Sequence, residues 1–337
     1  MAPRLCEPGS YLGTLRRYCV VEKLQDGSNG TVVVRATDTM QQEDCAIKII
    51  LRKNLAMKYT EREVLIHMGL SHKHIVNFRE VFDSGPHLCI VMDYCPNKTL
   101  FDWIQLHECL TEDQAKQFCI QIVSGLIYLH RQGIALRDLK LENLLLDAEW
   151  NIKICDLGFA TSDEFSRPKS FLGTPEYYSP ELIHMADDAF KNAWFCLFRK
   201  VNIGPYDGKK VDAWTLGIVL FAMLFGQTPF AFPNEDPMYS VHRTRRMKYS
   251  IPERTRNNIP VSIACRNLLE RLLEEDPIDR LSVDGMLEHE WLRPLRHSID
   301  EDEQPEPREL TRSDSIKAVK SVKRAAGWRR FLPSFVK

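Results

Sequence analysis

Acidic, basic and amide side chains meet in one short stretch of the sequence. Asp138, Lys140 and Asn143 fall within six residues, and Asp156 follows thirteen positions after Asn143. Asp138 could accept a hydroxyl proton, and Lys140 could neutralise charge on a transferring phosphoryl group. Asn143 and Asp156 offer the oxygen ligands that Mg²⁺ prefers. We predict that these residues form one phosphoryl-transfer site. The alternative, a polar loop with only local hydrogen bonds, would have this order and spacing only by accident.

Upstream, two glycines and a lysine could serve the same chemistry. Gly27 and Gly30 lie between two strand-like segments, where backbone N–H groups can approach phosphates, although an ordinary hairpin turn has the same composition. Lys48 lies on an apolar strand and needs an anionic partner if it is buried. Glu63, on the next predicted helix, could supply that partner; the alternative is that both are solvated charges.

The elements that must position these residues form a β-rich part followed by an α-rich part. Short apolar segments at 19–24, 31–36 and 45–51 predict an antiparallel sheet, with a helix over 61–70 and strands at 76–82 and 88–94. Helices are expected after the capping-box signal at Thr111 and over 211–225, 262–273 and 283–289. The predicted fold class is α+β, with the chemistry in a cleft between two lobes.

Composition narrows the class of protein further. The 337 residues contain 45 Lys and Arg against 46 Asp and Glu, which leaves no overall basic excess for nucleic acid. The longest apolar run, 214–226, is too short to span a bilayer, and the first 18 residues lack a secretory h-region. Ten cysteines without a C-x-x-C pair predict neither a zinc site nor a disulfide framework. We expect a protein of the cytoplasm or the nucleus.

Taken in order, these motifs resemble the eukaryotic protein kinase family from about residue 18 to 294. The run Asp138-Leu-Lys-Leu-Glu-Asn143 resembles serine/threonine kinases, and the chain looks similar to the calcium/calmodulin-dependent and AMP-activated-related group, either testis-specific-kinase-like or SNF1-like. The resemblance implies a bilobal kinase fold, with a small antiparallel N-lobe plus one helix and a larger helical C-lobe. It also implies ATP and Mg²⁺ as cofactors and Ser/Thr hydroxyls of proteins as substrates.

The resemblance further implies a role for each site residue. Asp138 would be the catalytic base with Lys140 beside it, and Asn143 and Asp156 would hold the metal. Lys48, paired to Glu63, would bind the α- and β-phosphates. The other implied nucleotide-binding residues are Leu24, Gly27, Gly30, Val32, Ala46, Met92 as gatekeeper, Asp93 and Cys95 of the hinge, and Leu145.

Regulation is implied by the segment that follows Asp156. Ser170 stands three residues before Gly173, where related kinases carry an activating phosphosite, so an upstream activating kinase is expected. Arg137, beside the catalytic aspartate, would pair with that phosphate. Glu142 would meet arginine upstream of the target hydroxyl, or is a solvated loop charge.

Four positions depart from the family pattern. Gln25 replaces the first loop glycine, Leu136 the histidine before Arg137, Leu157 a phenylalanine, and Ser179 the usual alanine. None removes a charge needed for transfer, but leucine at 136 can only pack where histidine would also hydrogen-bond. A catalytically weak pseudokinase that acts as a signalling scaffold is therefore the alternative to an active enzyme.

The predicted domains are an N-terminal extension over 1–17, a kinase domain over 18–294 and a tail over 295–337, with lobes of about 18–95 and 96–294. An insertion at about 185–205 adds roughly twenty residues to the loop that related kinases have there. It is either an amphipathic docking element or a variation that perturbs the fold.

The tail has six acids and one arginine over 300–309, then eight Lys and Arg against one acid over 310–337. A basic amphipathic helix there could bind calmodulin, an anionic membrane surface or its own kinase domain, and a disordered basic tail is the alternative.

Overall fold

A computed structural model describes residues 6–27, 30–51, 57–162, 170–171, 174–189, 201–202, 205–232, 235–299 and 312–325. The chain divides into two compact units. The β-sheet unit consists of Met1–Ser71, Val76–Cys95 and Glu306–Lys337, and the helical unit consists of His72–Ile75 and Pro96–Pro305. Among the described residues, no helix is long and apolar enough to cross a membrane.

The β-sheet unit contains one six-stranded antiparallel sheet with the order β1-β2-β3-β4-β6-β5. Its strands are β1 (Tyr11–Leu12), β2 (Tyr18–Asp26), β3 (Val32–Asp38), β4 (Glu43–Leu51), β5 (Phe78–Ser84) and β6 (His87–Asp93), and its helices are α1 (Met57–Met68) and α8 (Arg312–Ala325). The antiparallel sheet and the following helix that the sequence predicted are confirmed.

Alternation along β4 separates the two faces of this sheet. Cys45, Ile47 and Ile49 are buried in an apolar cluster with residues of β1, β2 and β3. The residues between them, Ala46 and Lys48, point to the opposite face, because successive side chains of a strand alternate. On that face a second cluster joins the sheet to α1 and α8.

The helical unit is built on the buried helix α5 (Gly208–Phe225). Almost every α5 residue is buried, as expected for a helix that is apolar all round. Asp207 caps its first turn, and Gly226 ends it in the left-handed conformation at φ 66°. A Cβ on Gly226 would lie 2.0 Å from the carbonyl oxygen of Glu108, so the helix end needs glycine.

The described part of the helical unit contains further helices and strands. They are α2 (Leu100–His107), α3 (Glu112–Arg131), β7 (Ile134–Ala135), β8 (Leu144–Leu146), β9 (Ile152–Ile154), β10 (Thr161–Ser162), β11 (Ser170–Phe171), α4 (Pro180–Ala189), β12 (Val201–Asn202), α6 (Pro237–Arg245) and α7 (Ile263–Leu272). The strands form three two-stranded ladders, β7 with β10, β8 with β9 and β11 with β12.

One sequence prediction is corrected, and another falls outside the described residues. The helix expected over 283–289 is a 3-10 turn over Asp284–Glu288, in which the amide of Met286 donates to the carbonyl of Val283 three residues earlier. The interior Gly285 disfavours a longer α-helix. The amphipathic segment proposed within the insertion, 190–200, lies outside the described residues.

Candidate active site

A buried aspartate of α5 holds the loop that carries the predicted catalytic residues. Asp212 accepts the backbone N–H groups of Leu136 at 2.9 Å and Arg137 at 2.7 Å, and its Oδ2 lies 2.8 Å from Nε2 of His130. These contacts fix Arg137 at φ 70°, a conformation that a non-glycine residue rarely adopts unaided. Loop and helix are therefore joined immediately before Asp138.

Three side chains converge on the carboxylate of Asp138. Lys140 Nζ lies 3.1 Å from Asp138 Oδ2, and the Asn143 amide donates to the same oxygen at 3.2 Å. The Thr174 hydroxyl donates to Asp138 Oδ1 at 3.4 Å and accepts from Lys140 Nζ at 3.0 Å. The structure thus brings Asp138 and Lys140, which the sequence predicted side by side, together with Thr174.

The environment of this carboxylate makes it a stronger base than an exposed aspartate. Burial raises the pKa of Asp138 to about 6, the charge of Asp156 acts in the same direction, and Lys140 opposes both. Burial alone would lower the pKa of the Lys140 ammonium, but Asp138, with the charges of Glu142 and Asp156, outweighs it and the net shift is upward. The pair thus combines a proton acceptor and a fixed positive charge, which are the groups that phosphoryl transfer requires.

Asn143 and Asp156 are the residues that the sequence predicted to hold a divalent cation. The Asn143 amide nitrogen is directed at Asp138, so its carbonyl oxygen is the atom suited to a cation. Asp156 is exposed, has φ 59° and accepts the amide of Gly158 at 3.2 Å. Within the described ranges no three His, Cys, Asp or Glu residues cluster as a metal cage. Oxygen ligands of this kind suit Mg²⁺, whose coordination is usually completed by water and substrate phosphates.

In the β-sheet unit, Lys48 and Glu63 form the predicted ion pair. Lys48 Nζ lies 2.5 Å from Glu63 Oε1, and the two side chains are 19% and 13% exposed. Lys48 stands on β4 and Glu63 on α1, so the pair joins the sheet to its helix. Both are largely buried, which excludes the alternative of two solvated surface charges.

The structure also places the predicted phosphate loop. The Gly27 amide donates to the carbonyl of Thr31 at 2.7 Å, and Gly30 has φ 71°, a value that glycine adopts without strain. Leu24 of β2 is 41% exposed. Residues 28 and 29 lie outside the described part.

Strand pairing separates Val32 from the other nucleotide-binding candidates on the sheet. Val32 pairs with Ile49 and packs against the apolar cluster on the far face from Lys48. Its neighbour Val33 pairs with Lys48 and therefore shares the face of Ala46 and Lys48. A one-residue difference in register decides which valine lies beside the lysine.

The remaining nucleotide-binding candidates lie at the end of β6, just after it, or within β8. Met92 pairs with Ala46 and packs against the cluster of α1 and α8. The carboxylate of Asp93 accepts from Arg79 Nε at 2.6 Å and from Asn77 at 2.8 Å, and Cys95 is 8% exposed. Leu145, in the helical unit, pairs with Lys153.

The candidate phosphosite lies on a short strand. Ser170 pairs with Asn202, and Phe171 with Val201, so β11 of the predicted activation segment is joined to β12 at the end of the insertion. Arg137, the predicted phosphate partner, is 4% exposed and donates from Nε to the Tyr206 hydroxyl at 2.8 Å. Residues 163–169 and 172–173 are outside the described ranges.

Two carboxylates lie next to the Asp138 network. Glu142 belongs to the 3-10 turn that follows Lys140, and Glu176 to the one that follows Thr174. Burial raises the pKa of Glu176, and the nearby charge of Glu142 adds to the effect. Elsewhere in the helical unit, Arg280 forms a bidentate pair with Glu181, with both N–O distances at 2.8 Å.

Sequence reasoning missed Val33, Glu176 and Tyr206. Glu176 has a sequence signal, since it ends the run Gly173-Thr174-Pro175-Glu176, a few residues after the candidate phosphosite. Tyr206 has none, because it contacts Arg137 from 69 positions away.

Comparison with known proteins agrees with this geometry. Residues 18–292 match the family described as Protein kinase domain. The chain is 36% identical over 280 residues to serine/threonine-protein kinase SRK2E of Arabidopsis thaliana, covering 82% of this chain and 71% of that protein. It is 33% identical over 314 residues to SAPK3 of Oryza sativa subsp. indica, covering 91% and 87%. It is 36% identical over 281 residues to SRK2A of Physcomitrium patens, covering 82% and 74%. The chain belongs to the protein kinase family and is a serine/threonine protein kinase.

Proposed function

We propose that Asp138 is the catalytic base of this kinase and that the side chains around it carry the phosphoryl transfer. The observation that supports this most directly is the convergence of Lys140, Asn143 and Thr174 on one buried carboxylate. Kinases use ATP as the phosphoryl donor and typically Mg²⁺, and the oxygen donors of Asn143 and Asp156 fit that cation.

In the proposed step, Asp138 accepts the proton of a substrate Ser or Thr hydroxyl as its oxygen bonds to the γ-phosphorus. The bond from that phosphorus to the β,γ-bridging oxygen breaks, so the products are the phosphorylated protein and ADP. Lys140 offsets negative charge on the transferring group, and Thr174 holds both side chains. Mg²⁺ when bound would neutralise phosphate charge.

The residues assigned to ATP binding are those that the family resemblance implies, with one change. Lys48, oriented by Glu63, holds the α- and β-phosphates, and the amides around Gly27 and Gly30 approach them. Leu24, Ala46, Met92 and Leu145 supply apolar contacts to the adenine, and Asp93 to Cys95 its backbone partners. Val33 joins this set because the pairing places it on the Lys48 face, whereas Val32 packs elsewhere.

Replacement of the proposed base tests the assignment. In the Asp138→Asn variant, transfer of radiolabelled phosphate from ATP to a Ser/Thr peptide should fall roughly 10²–10⁴-fold, since the amide cannot accept the proton. Asp279→Asn is a matched control, because Asp279 is exposed. Turnover by Asp138→Asn equal to wild type would remove Asp138 as the base. Clean wild-type protein without transfer would instead favour the pseudokinase scaffold.

Finer properties are proposals on the same basis. Glu142 and Glu176 would favour substrates with arginine near the target hydroxyl, since an upstream basic residue would relieve the crowding of two carboxylates. Phosphorylation of Ser170 by an upstream kinase would regulate activity.

Similarity to SRK2E, SRK2A and SAPK3 supports the SNF1-like assignment over the testis-specific and calcium/calmodulin-dependent ones. The packing of α8 within the β-sheet unit supports an intramolecular role for the tail over calmodulin or a membrane. We place the protein in the cytoplasm or the nucleus.

A further inference from the structure

An exposed group of aromatic and apolar side chains lies on the helical unit and includes none of the three residues that contact Asp138. Trp103 and His107 of α2 have ring centroids 4.3 Å apart, and Trp150, in the turn between β8 and β9, meets Trp103 edge-on at 4.8 Å. Trp150 is 46% exposed, and Leu106, three residues after Trp103, is 77% exposed. We call these four side chains, Trp103, Leu106, His107 and Trp150, the aromatic patch.

The backbone of Trp150 is strained. Its φ is 66°, a left-handed conformation that is unusual for a bulky residue. Two hydrogen bonds of the turn hold this φ. The Trp150 amide donates to the carbonyl of Asp147 at 3.1 Å, and the Asn151 amide donates to the Asp147 carboxylate at 2.8 Å. Glycine would adopt this φ without strain. A half-exposed tryptophan held there is poorly explained by core packing, and backbone strain of this kind clusters at functional sites.

The two segments that carry the aromatic patch have charged side chains of one sign. The segments 100–108 and 147–151 contain four carboxylates and neither lysine nor arginine. Of these, Asp102, Glu108 and Glu149 are exposed, whereas Asp147 lies 3.8 Å from Lys153. Carboxylates beside an indole favour a guanidinium, which stacks on the ring face and pairs with the acids at its edge.

We propose that the aromatic patch is a docking surface for a partner protein, and that the docking segment carries arginine next to apolar side chains. The arginine stacks on the tryptophan rings and faces Glu149 or Glu108, and the apolar side chains cover Leu106. Nucleic-acid bases also stack on tryptophan, but the carboxylates would repel the phosphate backbone. A peptide with cationic and apolar side chains matches both features of the surface.

Peptide binding to the full chain tests the proposal independently of catalysis. The probe is a fluorescent peptide with two adjacent arginines followed by two leucines, and the matched peptide has glutamates in place of the arginines. We expect saturable binding of the arginine peptide, measured by fluorescence anisotropy, with at least 10-fold weaker binding of the glutamate peptide and a loss of affinity at high salt. Equal binding of the two peptides, or no binding of the arginine peptide at millimolar concentration, would overturn the proposal.

Variants distinguish docking from packing. Trp150→Gly removes the ring and relieves the backbone, so we expect a melting temperature no lower than that of wild type together with at least 10-fold weaker binding of the arginine peptide. Glu149→Lys should also weaken binding, whereas Ile278→Ala, at an 83% exposed residue outside the aromatic patch, should not. Wild-type affinity in Trp150→Gly, or displacement of the peptide by a single-stranded oligonucleotide, would show that the aromatic patch does not serve this partner.

Discussion

At the scale of single residues, two arginine–carboxylate pairs of the helical unit show how burial determines what an ion pair contributes. Arg280 is 1% exposed, binds Glu181 through both nitrogens at 2.8 Å and donates to the carbonyls of Lys210, Glu274 and Glu275. Arg296 Nη1 lies 2.6 Å from Glu288 Oε1, but the side chains of this second pair are 50% and 63% exposed. Removal of the carboxylate leaves a buried, uncompensated charge only in the first pair.

We therefore expect unequal effects of two matched substitutions. Glu181→Ala should lower the free energy of unfolding by about 3–5 kcal/mol, because the guanidinium stays buried without its partner. Glu288→Ala should lower it by about 1 kcal/mol or less, since water screens that pair. Urea denaturation of both variants and of the wild type measures the difference. Similar values for the two variants would contradict this account of Arg280.

Residue-scale prediction from sequence succeeded where the chemistry depends on short spacing. Asp138, Lys140 and Asn143 are fixed by a local loop, so their order in the chain was enough to place them together. Val33 could not be chosen over Val32, because a shift of one residue exchanges the two faces of a strand. Tyr206 could not be found at all, since its contact with Arg137 depends on tertiary packing over 69 positions.

At the scale of elements, the C-terminal helix α8 is part of the core of the β-sheet unit. Ala318 and Val322, four residues apart and so on one helix face, are 2% and 0% exposed and cluster with Val64 of α1 and Phe78 of β5. Lys320 is exposed. The sequence predicted either a basic amphipathic helix, with calmodulin, a membrane surface or the kinase domain as its partner, or a disordered tail. An amphipathic pattern does not show which surface its apolar face contacts, so these alternatives stayed open.

Charge placed on the two faces of α8 should have opposite outcomes. Val322→Asp buries an unpaired carboxylate and should lower the free energy of unfolding by roughly 3 kcal/mol or more. Lys320→Asp changes an exposed side chain and should stay within about 0.5 kcal/mol of wild type. Guanidinium denaturation provides both values. A stable Val322→Asp protein would mean that α8 is not held by this cluster.

The ladder of β11 with β12 links the candidate phosphosite Ser170 to the end of the insertion. It has two residues in each strand, so we expect it to open locally without unfolding the chain. Asn202→Pro introduces a residue that cannot donate to the ladder, and it should speed hydrogen exchange at Ser170 and Phe171 with little change in melting temperature. Asn202→Ala keeps the amide and serves as the control. If exchange is unchanged in the proline variant, the pairing does not protect this segment.

At the scale of the whole molecule, the fold class followed from periodicity: alternation of apolar residues predicted the sheet, and longer helical periods predicted the rest. Composition predicted less, because a near-zero net charge also describes a chain with separate acidic and basic segments. What the sequence did not show is which polar residues become buried. His72 and His74 lie at the start of the helical unit, where neither apolar pattern nor motif marks them, yet they are 5% and 8% exposed.

Because these two histidines are buried, we expect acid to lower the free energy of unfolding. Burial lowers the pKa of His72 to about 3 and that of His74 to about 4, and the charges of Lys73 and Lys153 add to both shifts. The folded chain keeps them neutral below pH 6.5, where the unfolded chain binds protons. Each should therefore reduce the free energy of unfolding by about 1.4 kcal/mol per pH unit below about 6.5, until its folded-state pKa is reached.

Urea unfolding at pH 7.5, 6.5, 5.5 and 4.5 tests this dependence against carboxylates, which also lose stabilising contacts in acid. A variant with His72→Gln and His74→Gln should be less stable than wild type at pH 7.5, because it loses two hydrogen bonds of the rings. His74 Nδ1 lies 3.1 Å from the carbonyl oxygen of Ile152, and His72 Nδ1 accepts the His74 backbone amide. Its stability should nevertheless fall less steeply below pH 6.5, since two proton-binding groups of the unfolded chain are gone. His107→Gln, at an exposed histidine, should retain the wild-type slope. Parallel pH curves for the wild type and the double variant would show that the buried histidines do not set the acid limit of the fold.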